Sequence, residues 1–320
     1  MKYDATVALL TFNGELYLED LLKAVFRQRT EKKYEVLVID SGSTDRTLEI
    51  VAKFPDIRLH QIPNTEFGHG RTRNLAVELA KGDFVLFLTQ DAVPSYERWL
   101  DSMLEPFFIS DKVSIVFGKQ IPRPDCFATL KREVATVFRS LGSDDSVVLH
   151  RQTKLTDRLG LTNTFFSDAN SAVRKSAMKE VPFRDLNYAE DQALGIDMLA
   201  TGYVKAYAPL GSVIHSHNYP LRQYFKRKFD ESVGLRESTG QKPMAGRKEL
   251  FGGSMRATWS DYKFIVRDKD YGFGRKLHDL ALAPFYNVAL RLAIRAAANE
   301  KKAAKKREKY SLEAAARRKK

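Results

Sequence analysis

The chain has a single cysteine, Cys126, in 320 residues. An intramolecular disulfide and a four-cysteine zinc site are therefore both excluded. A reducing, cytoplasmic compartment is the expectation. Long apolar runs are equally scarce: no stretch approaches about 18 uninterrupted apolar residues, so no bilayer span is expected. The opening Met1-Lys2-Tyr3-Asp4 and the short apolar run behind it lack the form of a signal peptide. No internal repeat is visible.

What is present suffices for a core. Hydrophobic residues make up 43% of the chain, charged residues 29% and aromatics 11%. That excludes a disordered or collagen-like chain, and the length allows two domains or one large one. The net charge of +13 is unevenly spread, because ten basic and three acidic residues fall between Asn299 and Lys320. The remaining body is only mildly basic, which argues against a nucleic-acid partner.

The first half alternates strand-like and helix-like segments. Ala5 to Thr11, Glu35 to Asp40, Ile57 to Ile62 and Phe84 to Leu88 read as strands, and Val113 to Gly118 adds another. Leu18, Leu21, Leu22 and Val25 make a helical face. Arg71 to Ala80 reads as a helix stopped by Gly82 in a left-handed cap. The expectation is an α/β fold: a mostly parallel sheet with helices on both faces. Lys119 to Thr162 carries no clear period and suggests loops and short helices. Regular structure returns with Asp168 to Val173, followed by a helix from about Ala189 to Ala200 ended by Gly202, and strands at Tyr203 to Ala208 and Ser212 to His217. A basic amphipathic segment, Leu221 to Arg236, follows. The expected domains are 1–236, binding a ligand, and 237–320, helical and basic.

In such sheets ligands bind beyond the carboxyl ends of the strands. The polar residues there are Thr11-Phe12-Asn13-Gly14, Asp40 to Asp45, and Thr89-Gln90-Asp91-Ala92. Asp40 could accept the ring N–H of a pyrimidine, and the alternative is that its loop simply caps the next helix. Asp91 could share a hard cation, Mg²⁺ or Mn²⁺, with phosphate oxygens, or could be a turn-former. His215 and His217, two apart on a strand, would project to one face as metal ligands or phosphate contacts, or be an exposed pair. Glu190 and Asp191 open a helix, where the dipole favours carboxylates without any function. The functional reading is a general base kept ionised by that dipole.

The order of these pieces resembles family-2 glycosyltransferases. The matching segments are TFNGE (Thr11 to Glu15), VIDSGSTDRT (Val38 to Thr47), FGHGRTRN (Phe67 to Asn74), GDFVLFLTQDAVP (Gly82 to Pro94), AEDQ (Ala189 to Gln192) and HSHNYPLRQYF (His215 to Phe225). The TQDA form and FGHGRTRN look most like the bacterial rhamnosyltransferases, which use deoxythymidine-diphosphate rhamnose. The resemblance implies a GT-A type, Rossmann-like fold and inverting transfer to a glycan or polyprenyl-linked glycan acceptor in cell-surface polysaccharide synthesis. It implies that Asp40, with Thr11, Asn13, Ser43 and Gln90, holds the nucleotide, and that Arg71 and Arg73 contact the diphosphate. Asp91, His215 and His217 would hold the metal, Asp191 would be the base, and Asp168, Asn170 and Glu190 would line the acceptor site. Thr89 stands where the family's metal motif has its first Asp, which thins the metal shell.

Leu277 to Ala298 is apolar but broken by Asp279, Pro284, Asn287, Arg291 and Arg295. Such a segment suits the plane of an anionic membrane surface, with the basic tail adding attraction. The alternative is a packing helix with a solvated tail. The expected location is cytoplasmic, peripheral on the inner face of the cell membrane. Two competing functions are a sugar-nucleotide pyrophosphorylase and a non-enzymatic binder of anionic surfaces or nucleic acid.

Overall fold

The computed structural model describes residues 2–152, 165–186, 188–240, 246, 248–298, 303–304, 306 and 309–311. Along the chain the elements are β1 (Tyr3–Thr11), α1 (Leu18–Phe26), β2 (Tyr34–Asp40), α2 (Thr47–Ala52), β3 (Ile57–Gln61), α3 (His69–Leu79), β4 (Gly82–Thr89), β5 (Val93–Pro94) and α4 (Trp99–Leu104). They continue as β6 (Val113–Ile121), α5 (Ala128–Leu141), β7 (Val148–His150), β8 (Asn170–Arg174), α6 (Glu190–Ala200), β9 (Val204–Ile214), α7 (Leu221–Thr239), α8 (Ser254–Arg267) and α9 (Phe273–Ala297).

The described strands form one sheet in the order β3-β2-β1-β4-β8-β6-β9-β5, with β7 also on β9. The continuous apolar runs of β1, β2 and β4 are buried along nearly their whole length, as strands covered on both faces must be. α1 supplies one cover through Leu18, Leu21, Leu22 and Val25. The first four strands are parallel, as the alternating pattern predicts. Beyond them the sheet is mixed, because β8 runs antiparallel between β4 and β6.

That insertion decides where polar groups gather. Thr11 pairs with Asp40 and Leu10 with Thr89, so β1, β2 and β4 all end at one edge. Asn170 pairs with Leu88, so β8 begins at that edge and brings Asp168 to it. β6 and β9 end there too, since β6 runs against β8 and alongside β9.

Several expectations are corrected. Gly82 is not a left-handed cap but the first residue of β4; a Cβ there would fall 2.4 Å from the Ala5 carbonyl carbon. The two strands expected between Tyr203 and His217 are one, β9, with a register irregularity against β6. It ends at Ile214, so His215 and His217 are not held on one face by a strand. Within the stretch read as irregular, β6 runs on to Ile121, α5 forms a 14-residue helix and β7 spans Val148–His150; its last part, from 153, lies outside the described residues.

The chain divides into two compact units. The first takes in the described residues of 1–121, 137–186 and 190–215, and the second those of 122–136, 187–189 and 216–320. The division falls at His215/Ser216 rather than near residue 236, so α7 belongs to the second unit. There α7, α8 and α9 bury Phe229, Tyr224, Ile265, Ala283, Tyr286 and Ala293. Two buried polar groups tie the helices together. Asp279 accepts a hydrogen bond from the Ala128 amide at 2.9 Å, and Asp261 accepts one from Asn287 at 2.5 Å and pairs with Arg132. The basic tail is expected to be drawn to an anionic membrane, or alternatively to be solvated; of its described residues, Tyr310 packs edge-on against Phe225 and Phe229. By length and composition alone, α9 qualifies as a membrane-crossing helix.

Candidate active site

The site residues lie in the first unit, except His217, which lies in the second. At the ends of β1 and β2 the loop 40–47 is fastened by side-chain oxygens. Asp40 is fully buried: one carboxylate oxygen accepts from the amides of Gly42 and Ser43, the other from the hydroxyls of Thr11 and Ser43. Asn13 donates its amide to Ser43 Oγ at 2.9 Å and accepts the Thr44 amide on its side chain. Asn13 takes a left-handed φ of 50°, which asparagine tolerates. Asp40 thus fastens the loop rather than capping α2, and a base N–H would have to displace one of these four donors. Gln90 is a spacer: its amide both accepts from the Phe12 amide and donates to the Phe12 carbonyl, copying one rung of a sheet.

Next to it, Asp91 and His215 face each other with Oδ1 and Nε2 3.5 Å apart. His215 Nδ1 lies 2.9 Å from Gln120 Oε1, and Gln120 donates through Nε2 to Ser167 Oγ. That orientation of the amide asks His215 to carry its proton on Nδ1. Nε2 then keeps its lone pair on the Asp91 side, the arrangement metal-binding imidazoles use. Thr89 Oγ1 is buried with no hydrogen-bond partner among the described residues. The residues present, one carboxylate oxygen and one tautomer-fixed imidazole nitrogen, fit a divalent cation completed by ligand oxygens. His217 follows two residues along the chain, in the second unit, where it stacks on Tyr219.

The third group is a buried charge cluster. Arg73, on α3, is almost wholly buried. Its Nε is 2.8 Å from Asp168 Oδ2, close but not aligned as a hydrogen bond, and its Nη1 is 2.5 Å from Glu190 Oε1. Asp168 also accepts from Ser171 Oγ at 2.6 Å, and its amide donates to Asp191 Oδ2 at 3.3 Å. Asp191 remains partly open to solvent at the start of α6. Ala189, just before the two acids, has a left-handed φ of 62°, which costs a non-glycine residue roughly 1–2 kcal/mol.

Three acids share one cation, and the protonation of Asp168 and Asp191 reflects it. Burial, then the charges of Glu190 and Asp168, push the Asp191 carboxyl well above the usual range against the pull of Arg73. Burial likewise raises Asp168 to about 6. Asp191 was expected to stay ionised through the helix dipole; desolvation and like charge outweigh that dipole here. A base poised higher is better matched to neutral pH.

Some assignments change. Arg73 is committed to Asp168 and Glu190, so it is not a diphosphate contact; Arg71 is the exposed arginine of the pair. Asn170 is fully buried, accepting from Trp99 Nε1 and donating to the Gly211 carbonyl, so it holds strands together rather than lining an acceptor site. Asp168 is buried too. Sequence reading missed Gln120, which carries no motif and becomes visible only when β6 and β9 end side by side.

Comparison with known proteins places these features. The Glycosyl transferase family 2 model matches residues 6–181. An O-antigen chain rhamnosyltransferase (RfbN) of Salmonella typhimurium is 30% identical over 71% of this chain and 71% of its own length. A second O-antigen chain rhamnosyltransferase (WbaN), from Salmonella anatum, is 34% identical over 65% of this chain and 64% of its own. A mannosyltransferase from Pyrobaculum calidifontis, solved in complex with GDP-Man and Mn²⁺, superposes with a TM-score of 0.58 at 17% identity, covering 96% of this chain and 87% of that one.

Proposed function

The chain belongs to glycosyl transferase family 2, and from that premise we propose that it transfers L-rhamnose, with inversion, from deoxythymidine-diphosphate rhamnose to a glycan or polyprenyl-linked glycan acceptor. Its fold is of the GT-A type. The family match removes the pyrophosphorylase and the non-enzymatic binder from contention. The rhamnosyltransferase relatives support the donor sugar, and another pyrimidine nucleoside-diphosphate sugar is the nearest variant.

The observation that carries the mechanism is Asp191: a carboxylate at a helix start, partly open to solvent, fixed by the Asp168 amide and raised in pKa. In its ionised form it takes the proton of an acceptor hydroxyl as that oxygen attacks the anomeric carbon. The carbon–oxygen bond to the diphosphate breaks in the same displacement, and one base without a nucleophile gives inversion. Arg73 does not touch the reacting atoms; it balances Asp168 and Glu190 and so positions the base. Arg71 is the side chain offered to the diphosphate. Asp91 and His215, with His217 next along the chain, would hold Mg²⁺ or Mn²⁺. When bound, such a cation offsets charge on the leaving diphosphate. Work at the inner face of the cell membrane fits a polyprenyl-linked acceptor.

The test is nucleoside-diphosphate release with deoxythymidine-diphosphate rhamnose, UDP-sugars and GDP-mannose on a synthetic lipid-linked saccharide, with the product anomer read by NMR. Thymidine preference and an inverted anomer are expected. A retained configuration, or equal use of the guanosine donor, would overturn the reading.

A further inference from the structure

The second unit presents an apolar surface that the transferase reading leaves unused. On α8, Met255, Trp259 and Val266 are 75%, 61% and 64% exposed, and they fall within about 40° of one another at 100° per residue. On α9, Phe273, Leu277 and Phe285 are also exposed, within an arc of about 120°. These are not frayed core positions. The cores of both helices lie elsewhere on them, through Asp261 and Ile265 on α8 and Ala283, Tyr286 and Ala293 on α9.

The charges that α8 and α9 themselves carry outward are basic, although Glu249, just before α8, pairs with Arg256 at 3.3 Å and Asp270 lies exposed just after it. The acids of α8 and α9, Asp261 and Asp279, are both fully buried. The charges left outward are Arg256, Lys263 and Arg267 on α8 and Arg295 on α9. Lys263 lies over the Trp259 ring, 5.4 Å from its centroid. Large apolar side chains, an exposed tryptophan and a basic rim are the ingredients of a surface that lies in the headgroup layer of a bilayer. A second copy of the chain would set one positive rim against another.

We infer that α8 and α9 form an in-plane docking surface for anionic phospholipid, with Met255, Trp259 and Val266 entering the acyl boundary and the arginines and lysine meeting headgroup phosphates. The surface lies on the bilayer rather than crossing it. Drawing α9 into the hydrocarbon would strip Asp279 and Asn287 of their partners, Ala128 and Asp261, and leave buried polar groups unpaired. This goes beyond the transferase reading, and its test does not depend on sugar transfer.

Trp259 is the natural probe, since the other tryptophan, Trp99, is fully buried. The full chain is mixed with vesicles of phosphatidylcholine alone, or with one part in three phosphatidylglycerol. Trp259 emission should shift to the blue with the anionic vesicles only. The double variant Met255→Glu/Val266→Glu changes exposed positions, so it should keep its far-ultraviolet circular dichroism. Its vesicle affinity should fall at least about tenfold, the loss of two buried apolar side chains. A chain ending at Ser311 should bind like the full chain. No emission change, equal binding by the double variant, or loss of binding on truncation would overturn the assignment. So would a concentration-dependent dimer that the same substitutions dissolve.

Discussion

Arg73 Nη1 and Glu190 Oε1 meet at 2.5 Å between side chains that are each less than a tenth exposed. The same guanidinium reaches Asp168, so one cation neutralises parts of a three-acid cluster. Replacing it leaves those acids without their counter-charge. Arg73→Met should lower unfolding free energy by about 3–5 kcal/mol, read from urea denaturation midpoints. Arg73→Lys should recover only part of this, because a point charge cannot serve two carboxylates as a planar fork does. Unchanged stability in Arg73→Met would show that the pair contributes nothing net.

The Arg73–Glu190 pair spans 117 residues of sequence, which is why it was illegible. β1 to β4 could be read because each carries its own period: continuous apolar strands, an i, i+3, i+4, i+7 helix, a polar residue at each strand end. Asp191 was legible for the same local reason, as an acid opening a helix. What its pKa would be was not, since that depends on burial and on Asp168, 23 residues away. Arg73 reads as a phosphate contact in FGHGRTRN because arginines near a helix start so often are. Only the tertiary fold turns it inward. The break between Tyr203 and His217 was misplaced because β9 runs on through Pro209 and Gly211, with the irregularity taken up in its register against β6.

Gly118 is a sharper test of packing than of function. A Cβ there would lie 1.9 Å from the Gly211 carbonyl and 2.2 Å from Asn170 Nδ2, which already bond to each other at 2.7 Å. Gly118→Ala should therefore cost at least about 1–3 kcal/mol by overpacking. Gly202→Ala is the control: its surroundings are open, and only the left-handed φ of 89° is penalised, roughly 1–2 kcal/mol. Thermal denaturation of the two variants should rank Gly118→Ala as the more damaging.

Gln120 should matter to a cation without touching it. Its Oε1 faces His215 Nδ1, so Gln120→Leu frees the ring to rotate or change tautomer. Mn²⁺ affinity by titration calorimetry should fall about 10- to 100-fold. Gln120→Glu keeps an acceptor and should restore much of the affinity. Equal Mn²⁺ binding by the wild type and Gln120→Leu would separate His215 from the cation site.

The acid cluster makes opposite demands on stability and on rate. An unfolded aspartate titrates near 3.9, whereas burial raises Asp168 to about 6 and raises Asp191 as well. Between those values the native state holds more protons than the unfolded one. The stability this contributes is fully present below about pH 4 and is lost as pH rises through 6. Turnover should run the other way, because the acceptor proton needs an ionised Asp191, so the acidic limb of kcat should sit well above that of an ordinary aspartate. Asp191→Asn removes one titrating group and should flatten part of the stability profile while leaving the fold intact. Turnover should fall by about 10² to 10⁴-fold, with donor affinity little changed. A folded Asp191→Asn enzyme that binds donor and still transfers sugar near the wild-type rate would assign the proton to another group.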